Sequence, residues 1–453
     1  MVFTINLKSI FSIVISKATL FLCEKLLKGG TNFPGKVALK LDNKILKHVT
    51  KGYKVILVTG TNGKTTTTSM IYNVLKKSGK KVITNASGAN MLTGIVACFI
   101  KNYRFFNKEK ERFAVIEVDE ANVKFITPVI SPEIITVTNL FKDQLDRFGE
   151  VYTTLEKILE GINHSPSTNL LLNGDEPLLG NLKVDNKCTY FGFTHDTGIK
   201  NVDINAEAKF CKNCQKEYSY NFITYNHLGD FYCTNCSYKR SSLDYAVDNI
   251  LNKDYKGTSF TINGVEMFIN QSGIYNIYNA LCAYSVCAQL NIPSEDIVTA
   301  LQTSKSSFGR QEVININGKE VKIFLVKNPA GYNEAINVLG LDNRMKSCAF
   351  LLNDNYADGR DVSWIWDVKF ESLSNNDIKH ISVGGIRAYD MATRLKISGL
   401  DIDSNSICEN YDMLLKNIEE SQSDIFYIFA TYTAMTSLRK YFQSKNFIDK
   451  LWE

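Results

Sequence analysis

The chain has 453 residues, more than one hydrophobic core usually serves, so two or three domains are expected. Hydrophobic residues make up 44% and charged residues 22%, ordinary values for a globular protein. A net charge of only +5, with no concentrated basic stripe, argues against a nucleic-acid binder; the longest basic cluster, Lys76 to Lys81, reads as a solvated helix end and turn.

Along the chain, "SIFSIVISKATLFLCEKLL" (Ser9 to Leu27) reads first as an amphipathic helix. Lys17, Glu24 and Lys25 interrupt it, so no uncharged run reaches the length of a bilayer crossing, and no small-residue cleavage site follows. Packing on its own protein is the first expectation, and contact with a membrane surface the second. From Lys54 onward, short apolar strands alternate with helical patterns: "KVILVTG", then "TTTTSMIYNVLKKSG" as a helix ending at glycine, then "KVIT", "FAVIEVDE" and "EIITVTNL". This alternation predicts a parallel sheet with helices on both faces.

Near Asn205 to Arg240 the pattern breaks. Two Cys-x-x-Cys hooks, Cys211/Cys214 and Cys233/Cys236, are separated by 18 residues, the spacing of a structural four-thiolate zinc site on an inserted ribbon. The other cysteines (Cys23, Cys98, Cys188, Cys282, Cys287, Cys348, Cys408) lie mostly in apolar runs without paired spacing. Free thiols beside a thiolate metal site imply a reducing, cytoplasmic compartment. Beyond the hooks, "SFTINGVEMFIN" predicts a hairpin with Asn-Gly at its turn, and "GIYNIYNALCAYSVCAQL" a helix with Asn276 and Asn279 near its start. A second α/β region is expected from about Phe308, with strands "VKIFLV", "SCAFLLN", "HISVGG" and "DIFYIFA".

The strongest chemical signal is "VTGTNGKTTTT" (Val58 to Thr68), which joins the first buried strand to the first helix. Gly60 and Gly63 let the backbone amides of Thr61, Asn62 and Thr66 turn toward an anion at a helix N-terminus. Lys64 can reach the β- and γ-phosphates of ATP, and the Thr65 hydroxyl can ligate Mg²⁺. The loop departs from the general phosphate-loop pattern, because Val58 stands where the first glycine falls.

The form "GTNGKTT" resembles the Mur ligase family and its folylpolyglutamate synthase relatives. These enzymes activate a carboxylate with ATP as an acyl phosphate and then let an amine attack. The resemblance implies that Glu117, in "VIEVDEA", shares catalysis with Lys64 and holds Mg²⁺ together with Thr65, and that Asn276, in "GIYNIYNA", binds nucleotide. "TNLFKDQLDRFG" departs from the family pattern in having Gln144 in place of a metal-holding His, and Lys157 lies out of register for the family's carbamylated lysine. "FGRQE" (Phe308 to Glu312) resembles the linker into the C-terminal domain.

The phosphate loop begins near residue 58, which leaves no room before it for a UDP-binding domain. With the cysteine insertion and the run "NDNYADGRDVSWIWD" (Asn353 to Asp367), this resembles the branch of the family that forms the synthetase subunit of lipid II isoglutaminyl synthase. The implied fold is α/β: a helical segment at 1–45, a middle ATP-binding domain at 46–305 with the zinc ribbon at about 205–240, and a smaller partner-binding domain at 308–453. The implied reaction is amidation of the α-carboxylate of D-glutamate in lipid II, at the inner face of the membrane. This chain carries no recognisable glutaminase setting for a cysteine and a histidine, so ammonia would come from a GatD-type glutamine amidotransferase. Asp358 is matched to the carboxylate that completes the partner's triad, with Asp354 and Asp361 competing.

Two other readings stand beside this one. A stand-alone ligase of the folylpolyglutamate type shares the loop but leaves the cysteine insertion and the Asn353–Asp367 run without a role. A nucleic-acid-binding ATPase needs a basic ribbon, whereas Lys212, Lys216, Glu217 and Asp230 sum to zero charge.

Overall fold

The computed structural model describes residues 7–26, 32–85, 89–105, 111–141, 151–201, 208–304 and 310–448, the side chains of Glu24, Leu26 and Asn375 excepted. Its first unit is built on a sheet of β1 (Tyr53–Thr59), β2 (Val82–Thr84), β3 (Arg112–Glu117), β4 (Ile134–Val137), β5 (Asn169–Asn173) and β6 (Cys188–Phe193). A separate hairpin of β7 (Ser219–Tyr225) and β8 (Leu228–Tyr232) follows, and β9 (Tyr245–Lys253), β10 (Thr258–Ile262) and β11 (Val265–Ile269) then return to the sheet. The strand order is β11-β10-β9-β6-β5-β4-β1-β3-β2. Every pairing from β2 to β9 is parallel, and the β9-β10-β11 edge is antiparallel.

The parallel part is buried on both faces, so its strands read as unbroken apolar runs. In β1, Ile56 and Val58 enter one core with Met70, Ile71 and Val74 of the helix Lys64–Lys77 and with the helix Ile274–Gln289. Val55 and Leu57 point to the opposite core, with Ile95 and Phe99 of the helix Leu92–Asn102 and Ile158 of the helix Val151–Asn163. The helices Leu7–Leu26 and Phe33–Leu41 contribute Ile13 and Ala38 to this second core. The predicted Asn263-Gly264 turn is present, both residues having left-handed φ of 46° and 77°.

The second unit has β12 (Arg310–Ile316), β13 (Lys319–Leu325), β14 (Lys346–Leu351), β15 (Ile378–Gly384), β16 (Ile407–Cys408) and β17 (Ile425–Ala430), in the order β12-β13-β17-β14-β15-β16. All four expected strands form. The structure adds β12, antiparallel to β13 across an Asn317-Gly318 turn. The junction at 305–309, which includes Phe308, lies outside the described residues.

The cysteine-bearing insertion is rooted in the first sheet. Arg240, on its return, donates to Asp175 Oδ1 at 2.6 Å, and the same fully buried carboxylate accepts from Tyr278 OH at 2.6 Å and the Phe193 amide at 2.8 Å. Burial pushes the Asp175 carboxyl up, and Arg240 opposes that shift. The β7-β8 hairpin tip turns inward. His227 Nε2 lies 2.9 Å from Glu176 Oε2, with both side chains fully buried, and Glu176 accepts from the Leu140 amide at 3.1 Å. The His227 ring packs on Phe141, centroids 4.8 Å apart. Phe141 exchanges hydrogen bonds of 3.0 Å with the Thr61 hydroxyl. The ribbon thus ends against the loop that follows β1.

His227→Ala removes a ring from this packing and leaves Glu176 buried with one partner fewer. The unfolding free energy should fall by about 1–3 kcal/mol in a urea titration. A loss below about 0.5 kcal/mol, the range of neutral surface changes, would contradict the role given to this contact.

Candidate active site

The turn between β1 and the helix Lys64–Lys77 has a backbone only glycine fits. Gly60 has φ of 120°, and a Cβ there would lie 2.4 Å from Thr138 Oγ1; Gly63 has φ of 85°, and a Cβ would lie 2.1 Å from Asn279 Oδ1. Residues from the end of β4 brace the turn. Asn139 receives the Asn62 amide at 2.9 Å, and Thr138 and Asn139 donate to the Asn62 carbonyl at 2.7 and 3.1 Å.

Lys64 is almost wholly buried. Its ammonium donates to the Gly60 carbonyl and pairs with Glu120 Oε1 at 3.0 Å. Glu120, itself buried, has its carboxyl pushed up by desolvation, while Lys64 pulls it down. Its neighbour in the string, Glu117, ends β3. Asn85 brackets the Glu117 backbone at 2.9 and 2.8 Å, and Asn90 reaches its carboxylate at 3.3 Å.

The second unit supplies further groups. Arg310 Nη2 lies 3.3 Å from Thr65 Oγ1. Burial pulls Arg310 below the ordinary guanidinium value, and the Glu117 carboxylate acts against that. Lys327 donates to the Thr61 carbonyl at 3.2 Å, and Asn328 to Asn62 Oδ1 at 3.0 Å. Lys64, Arg310 and Lys327 therefore converge on one glycine-rich turn at a helix N-terminus, a surround suited to a polyphosphate. Thr65 lies beside Arg310 and the Glu117 carboxylate acts on the same guanidinium, a hydroxyl and a carboxylate of the kind Mg²⁺ takes.

The asparagines of the helix Ile274–Gln289 divide their work. Asn279 touches the loop, with its Oδ1 against Gly63 and 3.3 Å from Thr67 Oγ1. Asn276 stands one turn back, bonded to the Ser272 carbonyl at 2.9 Å and to Asn279 at 3.2 Å, so it holds Asn279 rather than the loop itself. Sequence reasoning missed Asn279, Glu120, Lys327 and the reach of Arg310. The one available signal was the position of Asn279 beside Asn276 at the helix start. Gln144 lies outside the described residues.

Away from this site, the Sγ atoms of Cys211, Cys214, Cys233 and Cys236 all lie within 4.8 Å of one another. The Cys211–Cys236 and Cys214–Cys233 separations are 3.6 and 3.4 Å. These distances approach the edge of a tetrahedron with bonds of about 2.3 Å, the thiolate shell of a structural metal ion. Tyr218, Phe231 and Tyr238 pack beside the sulfurs, so these three aromatic side chains form the ribbon's core, while Tyr232 stays at the surface.

In the Asn353–Asp367 run, Asp358 is buried. Its carboxylate accepts from the Thr433 amide at 2.7 Å, from the Thr433 hydroxyl and from the Asn355 amide at 3.2 Å, and so caps the helix Tyr432–Ser444. Asp354 is nearer the surface and pairs with Arg387 at 3.1 Å. Asp361 accepts from the Ser363 amide at 2.8 Å. Tyr356, Trp366, Ile386 and Tyr389 are exposed, between 52 and 75%.

The sequence matches the family model of the Mur ligase middle domain over residues 58–238 and that of the MurT ligase C-terminal region over 325–435. It is 40% identical, over 98% of this chain and 99% of the relative, to the lipid II isoglutaminyl synthase (glutamine-hydrolyzing) subunit MurT of Streptococcus pneumoniae. It is 35% identical, over 83% of this chain and 84% of the relative, to the subunit of the same name from Staphylococcus aureus. In fold it is similar to a pseudomurein peptide ligase type C from Methanothermus fervidus, with a TM-score of 0.62 and 21% identity over 90% of this chain and 84% of that one. A folylpolyglutamate synthase from Thermotoga maritima has a TM-score of 0.57 at 14% identity, covering 96% of this chain and 98% of that one. The parallel sheet with its glycine-rich loop, the cysteine cluster and the identity across nearly the whole length agree: the chain belongs to the Mur ligase family and, within it, to the MurT family of ligase subunits.

Proposed function

We propose that this chain is the ATP-dependent synthetase subunit of a glutamine-hydrolysing lipid II isoglutaminyl synthase, which converts the D-glutamate of the lipid II stem peptide to D-isoglutamine. The observation that carries this reading is the convergence of Lys64, Arg310 and Lys327 on the turn Gly60–Gly63, in a chain so similar to named MurT subunits.

In the first step a carboxylate oxygen of D-glutamate attacks the γ-phosphorus of ATP, and the bond to ADP breaks. Lys64 leaves the Glu120 carboxylate for the phosphates, while Arg310 and Lys327 neutralise charge on the transferring group. The amides of Thr61 and Asn62, expected from the sequence to face an anion, are instead taken by Asn139 and shape the turn. The Thr66 amide in the first helical turn is the one left to face the phosphates, with Asn276 setting Asn279 against the turn. Thr65 and Glu117 would hold a magnesium ion, which supplies positive charge to the phosphoryl oxygens when bound. In the second step ammonia attacks the acyl carbon, the carbon–oxygen bond to phosphate breaks, and one ammonia proton is released.

The ammonia comes from a GatD-type glutamine amidotransferase partner. The exposed Tyr356, Ile386 and Tyr389 beside the Asp354–Arg387 pair support a partner surface on the second unit, since aromatic and arginine side chains anchor interfaces. Within this surface a carboxylate orients the partner's histidine. Asp358 is held in place by Thr433 and Asn355, and Asp354 and Asp361 flank it. The four cysteines hold a structural zinc ion, because four thiolates fill its shell and leave no position for substrate. The enzyme works in the cytoplasm at the inner face of the membrane, where a lipid-linked substrate is presented. Among the described residues, no helix is long and apolar enough to cross a membrane.

The direct test is amidation of lipid II by this chain and its partner with ATP and glutamine. Lys64→Ala should lower the rate by about a hundred-fold or more; an unchanged rate would sink the mechanism. Asn variants of Asp354, Asp358 and Asp361 separate the carboxylate roles. The triad member should lose glutamine-driven activity and keep activity with ammonium chloride, whereas a carboxylate that only caps the helix should lose stability with both donors served alike. If all three keep full glutamine-driven activity, the partner's histidine is oriented from elsewhere. Cys211→Ser or a strong chelator should lower the melting temperature and yield of the folded chain. The ammonium-driven rate per folded molecule should stay the same, and a stable protein with a lost chemical step would overturn the structural role of the metal.

A further inference from the structure

The helix Leu7–Leu26 packs inward through Ile13, Cys23 and a row of serines, and keeps several of its bulkiest apolar residues outside. Its inward face carries small hydroxyl side chains: Ser9 donates to Asp42 Oδ2 at 2.6 Å, Ser12 to the Ala38 carbonyl at 3.1 Å, and Ser16 is buried. Its large apolar residues Leu7, Phe11, Val14, Phe21 and Leu22 point away, between 52 and 82% exposed. At the helical repeat these residues share an arc of roughly 100°. Lys25 lies on the same face, and Phe33 and Phe105 extend the exposed apolar surface beside the helix. A monomer seldom leaves so continuous an apolar stripe in water without a use for it.

A cationic pocket adjoins this stripe. Its volume is about 350 Å³, and Lys17, Lys81, Lys101, Arg104 and Arg112 line it together with Tyr53 and Tyr103, with no carboxylate among the described lining residues. Lys17 belongs to the helix and reaches the pocket wall by donating to the Tyr103 carbonyl at 2.7 Å. Burial and the nearby Arg104 both lower the affinity of Lys17 for its proton, so an anion here would relieve repulsion already present. The pocket opens at the N-terminal ends of β1, β2 and β3, whereas the phosphate loop follows the C-terminal end of β1. It is therefore a second anion-attracting region, separate from the nucleotide site.

We infer that this face docks on an anionic lipid membrane, with the outer stripe of the helix lying in the interface and the adjoining cations meeting lipid phosphates. Aromatic and aliphatic side chains beside lysines are the composition of an interfacial helix, and basic residues at its edge add attraction to anionic lipid. Charge complementarity selects this occupant over a second copy of the chain, since two copies pairing through this face would bring like charges together. The glutaminase has its own candidate surface on the other unit, around Tyr356 and Tyr389. The inference rests on the reading that the substrate is lipid-linked: docking would hold the enzyme where that substrate is presented.

The test is flotation of the full complex of this chain and its partner subunit with vesicles of phosphatidylglycerol or of phosphatidylcholine, without lipid II present. Binding should favour phosphatidylglycerol and weaken with salt. It should fall by about ten-fold or more in Phe11→Ser with Phe21→Ser, and in Lys101→Glu with Arg104→Glu. Both double variants should keep full activity on detergent-dispersed lipid II and lose activity on lipid II embedded in anionic vesicles. Absence of flotation, or flotation unchanged by either double variant, would overturn the inference. So would a wild-type complex that is dimeric through this helix, or a serine variant that sheds its partner subunit, because the stripe would then belong to a protein contact. Failure to amidate detergent-dispersed lipid II would instead count against the proposed function and leave the vesicle result standing.

Discussion

The site is organised around one buried ammonium group. An ammonium ion removed from water costs several kcal/mol unless its charge and its protons are met. Lys64 is almost wholly buried, and its charge is met by carbonyl oxygens of the turn and by Glu120, itself buried behind it. Neither member of this pair is tenable alone at that depth. With both present, the turn can hold a concentrated positive charge before any phosphate arrives. Charge placed in advance is what phosphoryl transfer needs, because there is little time for protein dipoles to reorient at the moment of reaction. The positive φ at Gly60 and Gly63, the bracing by Asn139 and Thr138, and the pressure of Asn279 against Gly63 all keep the turn closed around that charge.

The same constraint explains how the two units meet. Lys327 and Arg310 bring two more cations to a turn that already has one, which would be repulsive without Glu117 and Glu120 beneath them. The balance of cations over acids is what a triphosphate with its metal would complete. The cysteine ribbon plays its part from the other side. Its far end is the cluster of four cysteines, and its near end puts His227 on Glu176 and Phe141, whose backbone grips Thr61. The insertion is therefore a structural support with a short line to the glycine-rich turn.

Much of this was legible in the sequence because its signals are local. The runs in β1, β3 and β17 stand out because burial on both faces removes any alternation with polar residues. Gly60 through Thr66 are contiguous, so one loop carries most of the phosphate signal, and the Cys-x-x-Cys hooks carry their geometry in their spacing. The strand β12 was hidden because "RQEVINI" mixes polar and apolar residues and lies where the reading expected a linker. Glu117 and Glu120 stand three residues apart, and nothing in the string says which of them meets Lys64; that is decided by where β3 ends and a short 3₁₀ turn begins. Lys327 and Arg310 acquire their roles only when the second unit folds over the first. The orientation of the N-terminal helix was equally invisible, since its periodicity shows two faces, and only the packing of Ser9 and Ser12 against Asp42 and Ala38 tells which one is inside.

Activation as an acyl phosphate requires that an oxygen of the D-glutamate carboxylate pass to phosphate, because that intermediate is the only link between ATP cleavage and amide formation at the carbon. The most direct measurement uses lipid II labelled with heavy oxygen in that α-carboxylate, amidated with ATP and an ammonia source. For each amide formed, one labelled oxygen should appear in the inorganic phosphate released. Phosphate free of label, with amide still formed, would contradict the account.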